Sequence, residues 1–280
     1  MEIYRIPIGG VIERGIDFFV QHFSFATQAF SKVTENGMDI VVNVMMTIPP
    51  WALILIFTGL AWFLSKRWGV ALFTLLGLLL IWNMELWEPT VSTIALILIA
   101  VLFAIIIGVP LGILSALSEV AYRIITPILD VMQTMPAFVY LIPAIPFFGL
   151  GAVGAIFSTV IFSVPPCIRL TCLGIKQVPK ELIEAADAFG STKGQKLFKV
   201  QLPIAKTTIM AGINQTVMLA LSMVVIAAMI GAKGLGGEVW KAIQRLEPGR
   251  GFEAGIGIVI VAIILDRVMQ RMAGGKQPAL

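Results

Sequence analysis

Residues 131–168 read VMQTMPAFVYLIPAIPFFGLGAVGAIFSTVIFSVPPCI, and no Asp, Glu, Lys or Arg interrupts them. About 20 apolar residues of helix cross a bilayer core, so this run is long enough to cross and turn back. A second charge-free run extends from Thr207 to Ala232. Over the whole 280 residues, 58% are apolar and 13% charged, against roughly 45–50% and 25% in ordinary soluble domains. A soluble fold of this size needs more polar surface than that. The fold class read from these numbers is an all-α integral membrane protein, since a helix satisfies its own backbone in lipid.

Seven membrane-spanning helices are expected, at about 49–65, 70–87, 89–116, 126–148, 151–172, 205–231 and 252–269. Before them, Ile12, Ile16, Phe19, Val20 and Phe23 recur at helical spacing with Glu13, Asp17 and Gln21 off the stripe. That pattern describes an amphipathic helix lying at the membrane interface. Residues 38–48 are apolar too, but Asp39, Asn43 and the Pro49-Pro50 pair make them a weaker candidate for a span. The chain divides accordingly into an amphipathic segment (1–48), two peripheral spans (49–87), a main membrane domain (88–270) with its longest polar connection at 173–204, and a tail (271–280).

Lys and Arg set the orientation of such a bundle. With seven spans, Lys66, Arg67, Arg123, Arg169, Lys176, Lys180, Lys193, Lys196, Lys199, Lys206, Arg267, Arg271 and Lys276 fall on one side, thirteen of the twenty basic residues. That side is the cytoplasm, with the N-terminus outside and the C-terminus inside. The net charge of +4 is then a topology signal. No basic stripe is interleaved with exposed aromatics, so nucleic acid is excluded as a partner. Trp51, Trp62, Trp68, Trp82 and Trp87 lie near the expected span ends, where indole rings anchor at headgroup depth.

Several chemistries find no residues here. Cys167 and Cys172 are five positions apart with no His or carboxylate at metal spacing, and they read as small buried hydrophobes. His22 stands alone, so neither a metal site nor a catalytic triad is supported. Gly190-Ser191-Thr192-Lys193-Gly194 has the residue types of a phosphate-binding loop in the wrong order. Met1–Gly10 lacks the basic and apolar regions of a cleavable signal. Asp130, Arg169, Lys206 and Asp266 are all expected within two turns of the inner surface, so no charge sits mid-membrane. An autonomous ion-coupled carrier would be expected to keep one there. A carrier of that kind and a non-transporting scaffold are nonetheless the other classes the composition admits. No catalytic residue, metal ligand or cofactor site is assigned, and if the protein moves something uphill, the energy comes from another chain.

The connection 173–204 is patterned. Pro179 opens a short helix, Glu181, Glu184 and Asp187 come early, Lys193, Lys196 and Lys199 late, and Gly190 suits a left-handed turn between two helices. Leu182, Ala185, Ala186 and Phe189 fall on one face, whose alanines let another backbone approach. At these residues the chain resembles the membrane subunits of ATP-binding cassette (ABC) importers. Their signature is Glu-Ala-Ala, three residues, Gly, nine residues, a branched aliphatic, one residue and Leu-Pro. Here it stands as Glu184-Ala185-Ala186, Gly190, Val200 and Leu202-Pro203. Further stretches, 133–141, 165–171, 198–203 and 214–224, are similar to the permeases of glycine betaine/proline uptake systems, the ProW type.

The resemblance implies a type I ABC importer fold and a homodimer of permeases. It also implies two ATPase subunits that bind ATP and Mg and grip the Glu184–Pro203 element, and an extracytoplasmic binding protein that delivers a small solute. The place would be the bacterial inner membrane. Glycine betaine, proline betaine, choline, carnitine and trimethylamine N-oxide are the solute class. Phe189 joins the signature residues as an ATPase contact. Proline density and intramembrane polarity nominate Pro136, Tyr140, Pro143, Pro165, Asn214, Thr216, Ser222 and Met223 as pathway residues. Trp240, Arg245 and Glu247, in the mixed-charge loop before the last span, are nominated for docking the binding protein.

Overall fold

The computed structural model describes residues 8–22 and 24–272, and among these there are helices and turns but no strand. The order is α1 (Ile8–His22), α2 (Ser24–Thr47), α3 (Pro50–Ser65), α4 (Trp68–Asn83), α5 (Trp87–Leu117), α6 (Glu119–Thr134), α7 (Leu141–Phe148), α8 (Ala152–Lys176), α9 (Lys180–Ala188), α10 (Lys193–Lys196), α11 (Leu202–Ala228), α12 (Leu235–Arg245) and α13 (Pro248–Met272). A 3-10 turn at Ala137–Tyr140 precedes α7, and a π-helical turn at Leu197–Gln201 joins α10 to α11.

The centre is a tight trio, α5, α8 and α11, brought together by small residues. In lipid, helices gain little from burying apolar surface against each other, so close backbone approach takes over. Gly108 lies against Cys167, Gly112 against Thr171 and the Ile168 carbonyl, Gly174 against Ala205 and Thr208, and Gly212 against Leu170 and the Pro166 carbonyl. Around this trio one apolar cluster gathers residues such as Ile54, Ile81, Ile97, Val217, Leu235 and Val261 from α3, α4, α5, α11, α12 and α13. A second joins Leu96, Leu141, Ile156 and Met223 from α5, α7, α8 and α11.

Among the described residues, three helices are long and apolar enough to cross a bilayer unaided: Trp87–Leu117, Ala152–Lys176 and the continuous run Lys193–Ala228. The bent pairs α2 with α3 (106°) and α6 with Ala137–Phe148 (113°) raise the number to five if each counts as one span. Fewer helices meet that test than the seven expected, for physical reasons. Helix α4 has 16 residues, and α13 keeps charges on both flanks of its apolar middle, Ala254–Leu265.

The expected fourth span, 126–148, is corrected. It is no single rod, because Pro136 forces Met135 out of helical conformation (ψ 134°) and the chain turns there. The proline pair Pro165-Pro166, by contrast, sits inside an unbroken α8. Trp87 is corrected too. It is buried in the core, whereas Trp51, Trp62, Trp68 and Trp82 are exposed along the helix surfaces. Of residues 38–48, all but Ile48 are helical, as the C-terminal part of α2. Of the N-terminal stripe, Ile16 and Val20 are half-buried and Phe19 is exposed on α1. Phe23, the Ile12 side chain and Lys276 in the tail lie outside the described part of the structure.

Candidate functional site

Helices α9 and α10 form a compact elbow at the start of α11. Helix α9 follows Pro179 and places Glu181 in its first turn, where a carboxylate complements the helix dipole. Its end closes on Gly190 in the left-handed conformation (φ 72°). The Ser191 N–H donates to the Ala186 carbonyl (3.0 Å) and the Gly190 N–H to Asp187 (2.9 Å), the paired bonds of a glycine-closed helix terminus. Thr192 then caps α10. Its hydroxyl accepts from the Gln195 N–H (3.3 Å), and the Gln195 side chain accepts from the Thr192 N–H (2.9 Å).

The signature pair Leu202-Pro203 has a local structural reason. Pro203 has no N–H to give to the carbonyl four residues back, and the Leu202 N–H instead reaches five residues back to the Leu197 carbonyl. The resulting π turn carries Leu197 and Gln201 inward and leaves Pro203 exposed. Leu197 packs with Ile175 and Ala205, with Leu202 beside them, so the elbow is rooted in α8 and α11. Val200 is half-buried in this turn.

Two features set how the elbow presents itself. Lys196 Nζ donates to both carboxylate oxygens of Asp187 (2.7 and 2.8 Å), which ties the two limbs together. On the outer side Phe189 is 91% exposed and Leu182 45%, with Ala185 and Glu184 also exposed. Ala186 differs, because it is buried beneath them. The face read from the sequence therefore splits into an outward set and one inward alanine. Phe198, exposed just after α10, adds to the outward apolar surface. The sequence reading missed Phe198 and the Asp187–Lys196 tie. The pair is nine residues apart across a turn, a spacing that no helix periodicity flags.

The nominated pathway residues are dispersed. Tyr140, Pro165, Thr216 and Met223 are buried, Pro143 and Asn214 half-buried, and Pro136 and Ser222 exposed. Tyr140 donates its hydroxyl to the Met132 carbonyl across the bend. The Thr216 hydroxyl donates to Gly212 (3.0 Å) and the Ser222 hydroxyl to Leu219 (2.8 Å), each within α11. Asn214 donates to Asp266 on α13 (3.0 Å), whose other oxygen accepts from Gln270 (2.7 Å).

At the far end of α11, Arg245 and Glu247 line a shallow recess of about 190 Å³ together with Leu86, Glu238, Lys241, Ala242 and Arg250. Trp240 is half-buried nearby in α12. Between Arg245 and Glu247, Leu246 stands 87% exposed in the left-handed conformation (φ 56°). A bulky residue held there is an unusual and strained arrangement. The sequence reading missed it, since a single leucine in a polar loop carries no periodic signal. Among the described residues no group of three or more His, Cys, Asp or Glu side chains is arranged to hold a metal ion.

Comparison with known proteins agrees with this architecture. The chain is 54% identical to the glycine betaine transport system permease protein OpuAB of Bacillus subtilis, over 98% of this chain and 96% of that one. It is 48% identical to the glycine betaine/proline betaine transport system permease protein ProW of Escherichia coli, over 95% of this chain and 75% of that one. Its fold matches a chain of the MetNI methionine ABC transporter solved in inward-facing conformations. That match has a TM-score of 0.61 at 22% identity and covers 65% of this chain and 92% of that one. The helices from the middle of α5 onward, with the elbow at their centre, are the part that a family model recognises over residues 108–274, and the chain belongs to the binding-protein-dependent transport system inner membrane components.

Proposed function

We propose that this chain is the membrane-spanning subunit of an ATP-driven importer that translocates a quaternary ammonium or betaine-type compatible solute. The observation that carries the reading is the elbow itself. It is rooted in the central helices by Leu197, stiffened by the Asp187–Lys196 tie, and it holds Leu182, Ala185 and Phe189 outward with nothing among the described residues to cover them. An apolar helix face so presented is suited to lie in a groove of another subunit. The names of the relatives, which transport glycine betaine, proline betaine and carnitine, supply the solute class.

On this reading two permease copies pair, and two ATPase subunits bind ATP and Mg and grip the elbows. The chain itself is not an enzyme and holds no cofactor. The elbow end faces the cytoplasm with the C-terminus, and the N-terminus is outside. A betaine has no net charge, so a route without fixed charge suits it. Its methylated ammonium is recognised by aromatic faces and its carboxylate by hydrogen-bond donors. The test is uptake of labelled glycine betaine, proline betaine, choline, carnitine and trimethylamine N-oxide by cells expressing the chain with its cognate ATPase and binding protein. ATP-dependent uptake of at least one of them is expected. Uptake of none, or uptake that persists without the ATPase, overturns the reading.

The recess at the far end is the proposed landing site for the binding protein, with Leu246 as an apolar contact between Arg245 and Glu247 and with Trp240 beside it. Charges at the rim of an interface act mainly on encounter. Arg245→Glu and Glu247→Lys are each expected to lower uptake at limiting binding protein by about tenfold and to leave uptake at saturating binding protein nearly unchanged. Equal uptake by variant and wild type at limiting binding protein would remove these residues from the interface.

A further inference from the structure

Helix α6 is held to the bundle differently from its neighbours. Of its residues only Leu129 is buried, with Ile125 and Met132 packed partly on the core. Both its ends are extended rather than helical. Ser118 precedes it with φ −129° and ψ 117°, and Met135 follows with φ −72° and ψ 134°. Helix α6 is thus a short rod between two joints. Helix α8, its antiparallel neighbour, is locked into the central trio through Gly108, Gly112, Gly174 and Gly212.

Polar ties hold the rod to α8 at successive heights. Near the first joint Lys176 lies 3.8 Å from Glu119 and 3.5 Å over the Tyr122 ring. Three turns along α6, Asp130 pairs with Arg169 of α8. Beyond the second joint, Ser158 of α8 donates to the Tyr140 carbonyl (3.2 Å). Among the described residues α6 makes two charged ties to α8, and whereas Glu119–Lys176 sits at the first joint itself, Asp130–Arg169 lies far along the rod, where a swing would have to part it. Its side chains are 60% and 37% exposed. A part-exposed ion pair holds two helices far less firmly than interdigitated apolar faces do. Arg169 Nε is buried without a partner, so the guanidinium does not use all its donors in this arrangement.

We propose that Asp130–Arg169 is a releasable clasp that positions α6 during transport. With the clasp made, α6 lies against α8, as in this structure. With it open, α6 swings about Ser118 and Met135–Pro136 while Arg169 stays with the trio. The inference rests on the transport reading above, and Asp130 and Arg169 are positioning residues that contact no solute in this account.

Spin labels test it in the assembled complex with ATPase subunits in lipid. Cys167→Ala and Cys172→Ala clear the native thiols, and Ile128→Cys on α6 and Leu173→Cys on α8, both exposed, receive the labels. The α6–α8 distance is expected to be single and short at rest and to lengthen on the order of 5 Å when the complex is trapped with ATP and vanadate, a shift typical of switching helices. Asp130→Asn is expected to move the resting population toward the long distance and to lower solute uptake about tenfold. The swap Asp130→Arg with Arg169→Asp restores both, which loss of fold would not do. An unchanged distance on trapping, or an Asp130→Asn distribution identical to that of the parent, overturns the clasp. Solute uptake by the label-bearing parent separates either result from failure of the transport reading.

Discussion

Ala185→Trp is expected to abolish solute uptake, by about two orders of magnitude, in a protein that still folds and reaches the membrane; overpacking a close contact costs typically 1–3 kcal/mol, and each 1.4 kcal/mol is tenfold. Ala185 is exposed, so the indole meets no atom of its own chain that has to move. It stands in line with Leu182 and Phe189 on the outward side of α9, where a groove that accepts a methyl group has no room for a ring. Ala186 makes a poor test by comparison. It is buried, and a bulky residue there strains the elbow before any partner is involved. Three measurements on Ala185→Trp decide the matter: uptake, the thermal midpoint of the purified chain, and the amount of ATPase that co-purifies. A normal midpoint with lost uptake, with or without lost ATPase, is the expected outcome. Wild-type uptake would show that no subunit seats on this face.

The elbow was readable because its rules are local. Pro179 and Gly190 each dictate a backbone event within five residues, and the structure contains both; the Thr192–Gln195 cap and the π turn before Pro203 are just as local, but the sequence reading missed them. The charge-free runs were readable for a similar reason, since an apolar segment of sufficient length has few options. The bend at Met135 was also written locally, in the Met-Pro pair, but an apolar count over 126–148 averages over it. Trp87 lies where an interfacial anchor is expected and is buried instead because α5 begins deep in the core, which only the packing of α3, α4 and α13 decides.

Hydroxyl groups on α11 have a local structural use. A Ser or Thr in an apolar helix satisfies its hydroxyl on the carbonyl three or four residues back, as Thr216 does on Gly212 and Ser222 on Leu219. Such a residue needs neither solute nor water, so its presence on α11 says little about what passes by. Asn214 meets Asp266 across 52 residues of sequence, a pairing no local pattern announces. The same distance hides the clasp between Asp130 and Arg169, which are 39 residues apart.

Gly236→Ala is the substitution expected to damage the fold most for its size. A Cβ at this position would lie 2.4 Å from the Val224 carbonyl oxygen and 2.7 Å from its carbon. Both atoms belong to the backbone of α11, so no side-chain rotation relieves the contact. The neighbouring residues remove the other escape. Gly234 (φ 127°) brings the chain against Thr93 of α5, and the Thr93 hydroxyl accepts from the Leu235 N–H (2.8 Å). Leu235 itself is fully buried. The turn between α11 and α12 is therefore wedged between two members of the central trio, and adding one methyl forces α12 to lift from both. The expected loss of stability is about 3 kcal/mol, the upper end of the range for overpacking. Gly59→Ala is the matched control, because nothing lies within 4 Å of its added methyl on α3 and alanine favours helix over glycine by about 1 kcal/mol. Thermal midpoints of the two variants in the same detergent are expected to fall on opposite sides of the wild type or, for Gly59→Ala, to coincide with it. If Gly236→Ala melts with the wild type, α12 does not rest on α11 at this point, and the outer recess that Arg245 and Glu247 line loses its structural support.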